Sequence, residues 1–182
     1  MYNRDFDEFV KRQHQPPPEI AAIDWEKERD EWLQHLKQLY TLVESFIAEY
    51  ISAGQIQKEY RIIEMTEEYI GSYKAQEMVL KVGRQELHLE PIGRLIFRAK
   101  GRVDVVAPAG RAQLWLVDND AKRPSDLIHI NISIGKDRPR KVEQSEKQTT
   151  LAWKMVTPPP DRRLINLDPE AFFHLIMELA NG

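Results

Sequence analysis

The longest hydrophobic pattern in the chain is helical. Between Asp24 and Ala53, Trp25, Trp32, Leu39 and Phe46 recur every seven residues, with Leu36, Val43 and Tyr50 interleaved. Leu33, Tyr40, Ile47 and Ile51 widen this stripe beyond the narrow seam of a coiled coil. Asp24 is placed to cap the first turn, Glu26, Glu28, Asp30 and Glu31 suit the positive end of the helix dipole, and Gly54 is a natural stop. A helix over the whole segment would run roughly 45 Å. That is long for one layer of a domain this size, so the helix projects, kinks or packs on another chain. The width of the stripe favours packing on a sheet over a homodimer formed through the helix.

After Gln57 the period changes to two. Glu59–Thr66, Tyr73–Val82, Gln85–Glu90, Leu95–Val106 and Ala112–Val117 read as strands, separated by Gly71, Gly83, Pro91 with Gly93, and Pro108 with Gly110. Connections this short imply an antiparallel meander. Leu127–Ile134 and Leu151–Val156 are further strands, and the charged stretch Lys136–Gln148 between them reads as a loop. Trp153 alternates onto the core side, where its indole N–H needs a partner. A closing helix starts at Asp168 as cap with Pro169 in its first turn, and Phe172, Phe173, Leu175, Ile176 and Leu179 form its apolar face.

Residues 1–23 read as an arm. Phe6, Phe9 and Val10 suggest a short helical turn, and Pro16, Pro17 and Pro18 end it in a stiff spacer. The expectation is therefore an amino-terminal arm followed by one α+β domain over residues 24–182. In that domain two helices cover a largely antiparallel sheet of six or seven strands. The other face of the sheet is left solvated or used for recognition.

Composition narrows the function. The chain has 182 residues, 42% hydrophobic and 30% charged, and no cysteine, which excludes disulfides, thiolate zinc sites and cysteine nucleophiles. No apolar run is long enough to span a bilayer, and no secretory signal opens the chain, so a cytoplasmic location is expected. Residues 1–70 carry 8 Lys+Arg against 15 Asp+Glu, whereas residues 71–182 carry 18 against 14. An acidic front and a basic back can attract one another within a fold or between copies.

The clearest chemical feature is a run of cations. If Leu95–Val106 is a regular strand, Arg94, Arg98, Lys100 and Arg102 share one face with Asp104. The plain reading is a solvated face balanced across strands by Glu64, Glu77 and Glu86. The functional reading is a binding surface for an acidic protein or, less favoured for want of stacking aromatics, for nucleic acid.

A second constellation points to catalysis. Asp104, then Asp120 two residues before Lys122 just beyond the next strand, resembles the metal-site pattern of PD-(D/E)xK nucleases. The resemblance covers about twenty residues and implies that the two carboxylates would hold Mg²⁺ while the lysine positions the attacking water. Asp118 to Pro124 also has the composition of a turn, and the family's helix crossover after this strand is missing, so the turn is the preferred reading. His129, Asn131 and Ser133 share a predicted strand face, and His88 lies on another, without metal-ligand spacing to a second histidine. No phosphate-binding, dinucleotide or zinc-protease motif is present, so no cofactor and no metal are expected. The expectation is a non-catalytic interaction module, such as an adaptor, an immunity-type inhibitor or a complex subunit, that binds another protein.

Overall fold

A computed structural model describes residues 4–15, 18–94, 99–127 and 150–181. The elements run α1 (Arg4–His14), α2 (Pro18–Ala21), α3 (Trp25–Phe46), α4 (Ala48–Ser52), β1 (Ile56–Glu67), β2 (Gly71–Val82), β3 (Gln85–Gly93) and β4 (Gly101–Ala107). They continue with β5 (Gly110–Asp118), a 3₁₀ turn (Pro124–Leu127), β6 (Leu151–Val156), β7 (Leu164–Asn166) and α5 (Pro169–Asn181). The strands form one antiparallel meander in sequence order, β1 to β7, with tight glycine-containing turns joining β1 to β2, β2 to β3 and β4 to β5. The fold is α+β.

α3 begins where its sequence signals place it. Asp24 stands at the cap, and its carboxylate accepts the Lys27 N–H at 3.1 Å. Trp32, Leu36, Leu39, Tyr40 and Val43 are buried against the sheet, and the expected single helix is interrupted at Ile47, where φ is −107°. Ile47 itself is completely buried. In α4, beyond this break, Tyr50, expected in the buried stripe, is exposed and meets Phe173 edge-on at 5.9 Å. The break resolves the excess length of a straight helix.

α5 lies beside α3 on the same face of the sheet. Asp168 accepts the Ala171 N–H at 2.8 Å, and Phe172, Leu175, Ile176 and Leu179 enter the core, with Phe172 against Phe46. Opposite the helices stand Met78 and Leu80 of β2, Leu87 and Leu89 of β3, Val103 and Val105 of β4, and Leu114 and Leu116 of β5. Their two-residue spacing is what buries them together. Trp153 closes one end against Trp32, and its indole N–H donates to the His35 carbonyl at 3.3 Å. Gly101 is required at this contact, because a Cβ there would lie 2.2 Å from the Trp32 ring.

The β2–β3 ladder pairs only Met78–Val82 with Gln85–Leu89. Beyond it the strands part, and the Tyr40 hydroxyl fills the gap between the carbonyls of Gln76 (2.5 Å) and Leu89 (3.4 Å). Burial pushes the Tyr40 phenol far above its ordinary pKa. Past this point β1 and β2 continue as a two-stranded ribbon, in which Met65, Tyr73 and Ala75 are the buried positions. Two-stranded ribbons twist more strongly than wide sheets, and the twist changes which side chains face inward.

Further expectations change or lie outside the described residues. Leu95–Val106 is not one strand: β4 starts at Gly101, Lys100 lies in a bend, and residues 95–98 lie outside the described residues. Of the expected strand Leu127–Ile134, Leu127 closes the 3₁₀ turn and residues 128–134 lie outside the described residues, as does the expected loop Lys136–Gln148. The short strand β7 was missed, since three residues are too few to show a period. The amino-terminal arm contains the eleven-residue helix α1 rather than a single turn, and Pro18 starts α2, while Pro16 and Pro17 lie outside the described residues.

Candidate functional site

The face of the sheet away from the helices has two halves. Over β5 to β7, Trp115, Val117 and Leu164 form a small second core with Ala99 and Ala121. This half is largely buried, Lys154 opposite Trp115 included, where the expectation was a face left solvated or used for recognition. Over β1 to β4 the face is ionic.

Asp104 is the hub of that ionic half. It is mid-strand in β4, opposite Glu90 and Gln113, and its side chain is fully buried. The Arg102 guanidinium grips it with two hydrogen bonds, Nε to Oδ1 at 2.6 Å and Nη2 to Oδ2 at 2.8 Å. Arg111 of β5 adds a third, Nη1 to Oδ2 at 3.2 Å, and its Nη2 lies 3.8 Å from a Glu90 oxygen. Residues two apart on a strand, and diagonal neighbours across a pair, share a face, so this geometry follows from the register. A carboxylate without water is tolerable only with such partners.

The nearby trio Glu77, His88 and Glu90 presents one ligand atom each within 4.8 Å of one another. His88 Nδ1 lies 2.9 Å from Glu77 Oε1, and its Nε2 lies 3.6 Å from Glu86. Two carboxylates and an imidazole are a donor set that can hold a divalent cation. In this arrangement their charge is met by Arg111 beside Glu90 and by Arg61, opposite Glu77 in the β1–β2 register. Sequence reasoning missed the trio. Glu77 and His88 come together only through the hairpin register, and carboxylates with a single histidine at those spacings have no signature in one dimension.

The predicted cations are dispersed. Arg94 follows β3; its side chain is only 12% exposed and pairs with Glu28 of α3, while its N–H donates to Glu67 at 3.1 Å. Glu67 also accepts the Tyr73 hydroxyl, and it lies so close to Gly93 that a Cβ there would be 2.9 Å from its carboxyl carbon. Arg102 is committed to Asp104, and Arg98 lies outside the described residues. Lys100 is exposed and makes no ion pair among the described residues. Arg94 and Arg102 thus sit on two different strands' ends, and their partners are Glu28 and Asp104 rather than Glu64, Glu77 or Glu86.

Asp104, Asp120 and Lys122 do not converge. Gln113 of β5 lies opposite Asp104, and from there the strand continues to Asp118, roughly 17 Å away at the rise of a strand. Asp118 to Asp126 is a turn held by its own hydrogen bonds. Asp118 accepts the Asp120 N–H at 2.9 Å, and Asp126 accepts the N–H groups of Lys122 and Arg123, each at 2.9 Å. Those two backbone donors hold the Asp126 carboxyl below its ordinary pKa. Lys154, buried on β6, anchors the turn by donating to the carbonyls of Asn119 (2.7 Å) and Ala121 (2.6 Å). Lys122 is exposed. His129, Asn131 and Ser133 lie outside the described residues.

A further exposed apolar surface lies on α1. Phe6 is 61% and Phe9 53% exposed, their rings stack at 6.3 Å, and no residue of the helix is buried. Phe6, Phe9 and Val10 follow the i, i+3, i+4 spacing of one helix face, with Asp5 and Asp7 in the first turn and Lys11, Arg12 and His14 in the last. Among the described residues, no helix is long and apolar enough to cross a membrane. Comparison with protein-family models, curated proteins and solved structures finds no match to this chain.

Proposed function

We propose that the chain is a protein-interaction module that engages its partner through the aromatic face of α1. The observation that carries the reading is the exposure of Phe6 and Phe9 on a helix that buries nothing. An amphipathic helix presenting anchors at i, i+3 and i+4 is the form in which helices enter a groove on another protein. Aromatic anchors contribute large apolar area at such contacts. Lys100 adds a charge that an acidic partner can meet, while Arg94 and Arg102 are already ion-paired and act only by remodelling those pairs.

The experiment compares the native chain with Phe6→Ser/Phe9→Ser in quantitative capture from the source organism, after matched melting curves have established equal folding. A partner bound by the native chain and lost by the double variant supports the reading. Equal capture by both proteins overturns it for α1. A parallel Lys100→Gln variant reports whether the basic residue contributes, through a weaker salt dependence of the same capture.

A further inference from the structure

The two edges of the sheet differ in length. β7 has three residues, whereas β1 has twelve, and among the described residues its sole neighbour is β2. Among the described residues, one side of β1 therefore offers a row of unpaired backbone donors and acceptors, a template for another strand. Near its middle lies Ile62, 72% exposed, the most exposed of the large hydrophobic residues described. We infer that β1 pairs antiparallel with β1 of a second copy, joining two sheets edge to edge around a two-fold axis at Tyr60.

The order of charges along β1 selects that axis. A two-fold relating antiparallel strands of one sheet sets one residue opposite its own copy, with neighbours opposed symmetrically about it. Centres at Lys58, Glu59, Arg61 or Glu64 place identical charges face to face, which is destabilising. A centre at Ile63 opposes Glu59 to Glu67, and one at Ile62 leaves every charge opposite an uncharged residue. A centre at Tyr60 opposes Glu59 to the partner's Arg61 and Arg61 to the partner's Glu59. Within one chain Glu59 already binds Arg61 at 3.0 Å and Lys81 at 3.4 Å. The dimer would complete an alternating quartet from groups that are already adjacent. The same register lays Ile62 against the aliphatic stem of the partner's Lys58, covering the apolar surface that the monomer exposes. Charged edges commonly guard against pairing, but a guard of one sign would repel in every register. Of the seven centres from Lys58 to Glu64, five oppose like charges, one is neutral and one attracts.

The inference is independent of the role of α1, and the two are separable by experiment. Sedimentation equilibrium of the full chain should show a concentration-dependent dimer. Arg61→Glu, which opposes carboxylates across the axis, and Ile62→Lys, which opposes ammonium groups, should each weaken the dimer by at least about tenfold, the scale of like-charge juxtaposition. The exchange Glu59→Arg/Arg61→Glu restores the alternation and should restore the dimer. Melting curves of each variant establish that the fold is intact. A chain that stays monomeric up to about 1 mM, the limit of a meaningful weak association, overturns the inference. So does a dimer indifferent to Arg61→Glu and Ile62→Lys. If such a dimer is instead lost in Phe6→Ser/Phe9→Ser, self-association belongs to α1.

Discussion

α1 and α5 are helices of eleven and thirteen residues, and each gathers its phenylalanines on one face. α5 buries Phe172, Leu175, Ile176 and Leu179, whereas α1 buries no residue. The difference lies in what the rest of the chain brings to each. β7 turns through Leu167 and Asp168 directly into α5 and lays it on the sheet beside α3, so every turn meets apolar partners. α1 is separated from α3 by residues 15–24, and none of its residues is buried. An amphipathic pattern specifies that a face will be buried; connectivity decides where its partner is.

The largest expected effect belongs to the packed side of that comparison. Leu36→Asp places a carboxylate, without a partner, among residues that are 0–3% exposed, and the variant should fail to fold cooperatively by circular dichroism. An unchanged melting curve would remove α3 from the core. Phe172→Ala empties a fully buried site and should cost about 3–5 kcal/mol in urea unfolding, the range for deleting a buried phenylalanine. A loss under about 1 kcal/mol would mean that α5 is as loosely held as α1.

Gly101→Ala tests the packing beneath α3 from the sheet side. The added methyl meets the Trp32 ring, so either the ring or β4 must move, and overpacking of this kind costs about 1–3 kcal/mol. Neutral behaviour in the same assay would show that Trp32 is free to shift. The smallest effect should come from α1. Phe9→Ala removes a side chain that is 53% exposed and should change stability by no more than about 0.5 kcal/mol. A cost comparable to that of Phe172→Ala would show that α1 is packed in solution and would remove the contrast between the helices.

The ionic half of the sheet shows how far a charge pattern can be read. Arg94, Lys100 and Arg102 are cations in any reading of the chain, and alternation on a regular strand would align them. The connection between β3 and β4 interrupts that alternation, and β3 shifts register between Pro91 and Gly93. Arg94 is therefore turned toward Glu28 of α3, a residue sixty-six positions earlier in the chain. Asp104 was legible as an acidic residue between valines. Its role as the buried acceptor of two arginines depended on β5 bringing Arg111 alongside. After β5 the turn composition of the sequence is met by local hydrogen bonds to Asp118 and Asp126, and the tertiary structure adds Lys154 of β6 as a distant anchor.

By itself the sequence determined what local periodicity can encode. It set the two long helical segments and their inner faces, the succession of strands separated by glycine turns, the cap at Asp24 and the antiparallel class. Each of these depends on neighbours within a few residues, where spacing translates directly into direction. Only the tertiary structure decided the break at Ile47, the exposure of Tyr50 and Phe9, the pairing of Arg94 with Glu28, the Glu77–His88–Glu90 trio and the open edge of β1. These depend on which segments, far apart in sequence, come to lie side by side. The period of a strand says which side chains share a face, but the register with its neighbours says what those side chains touch.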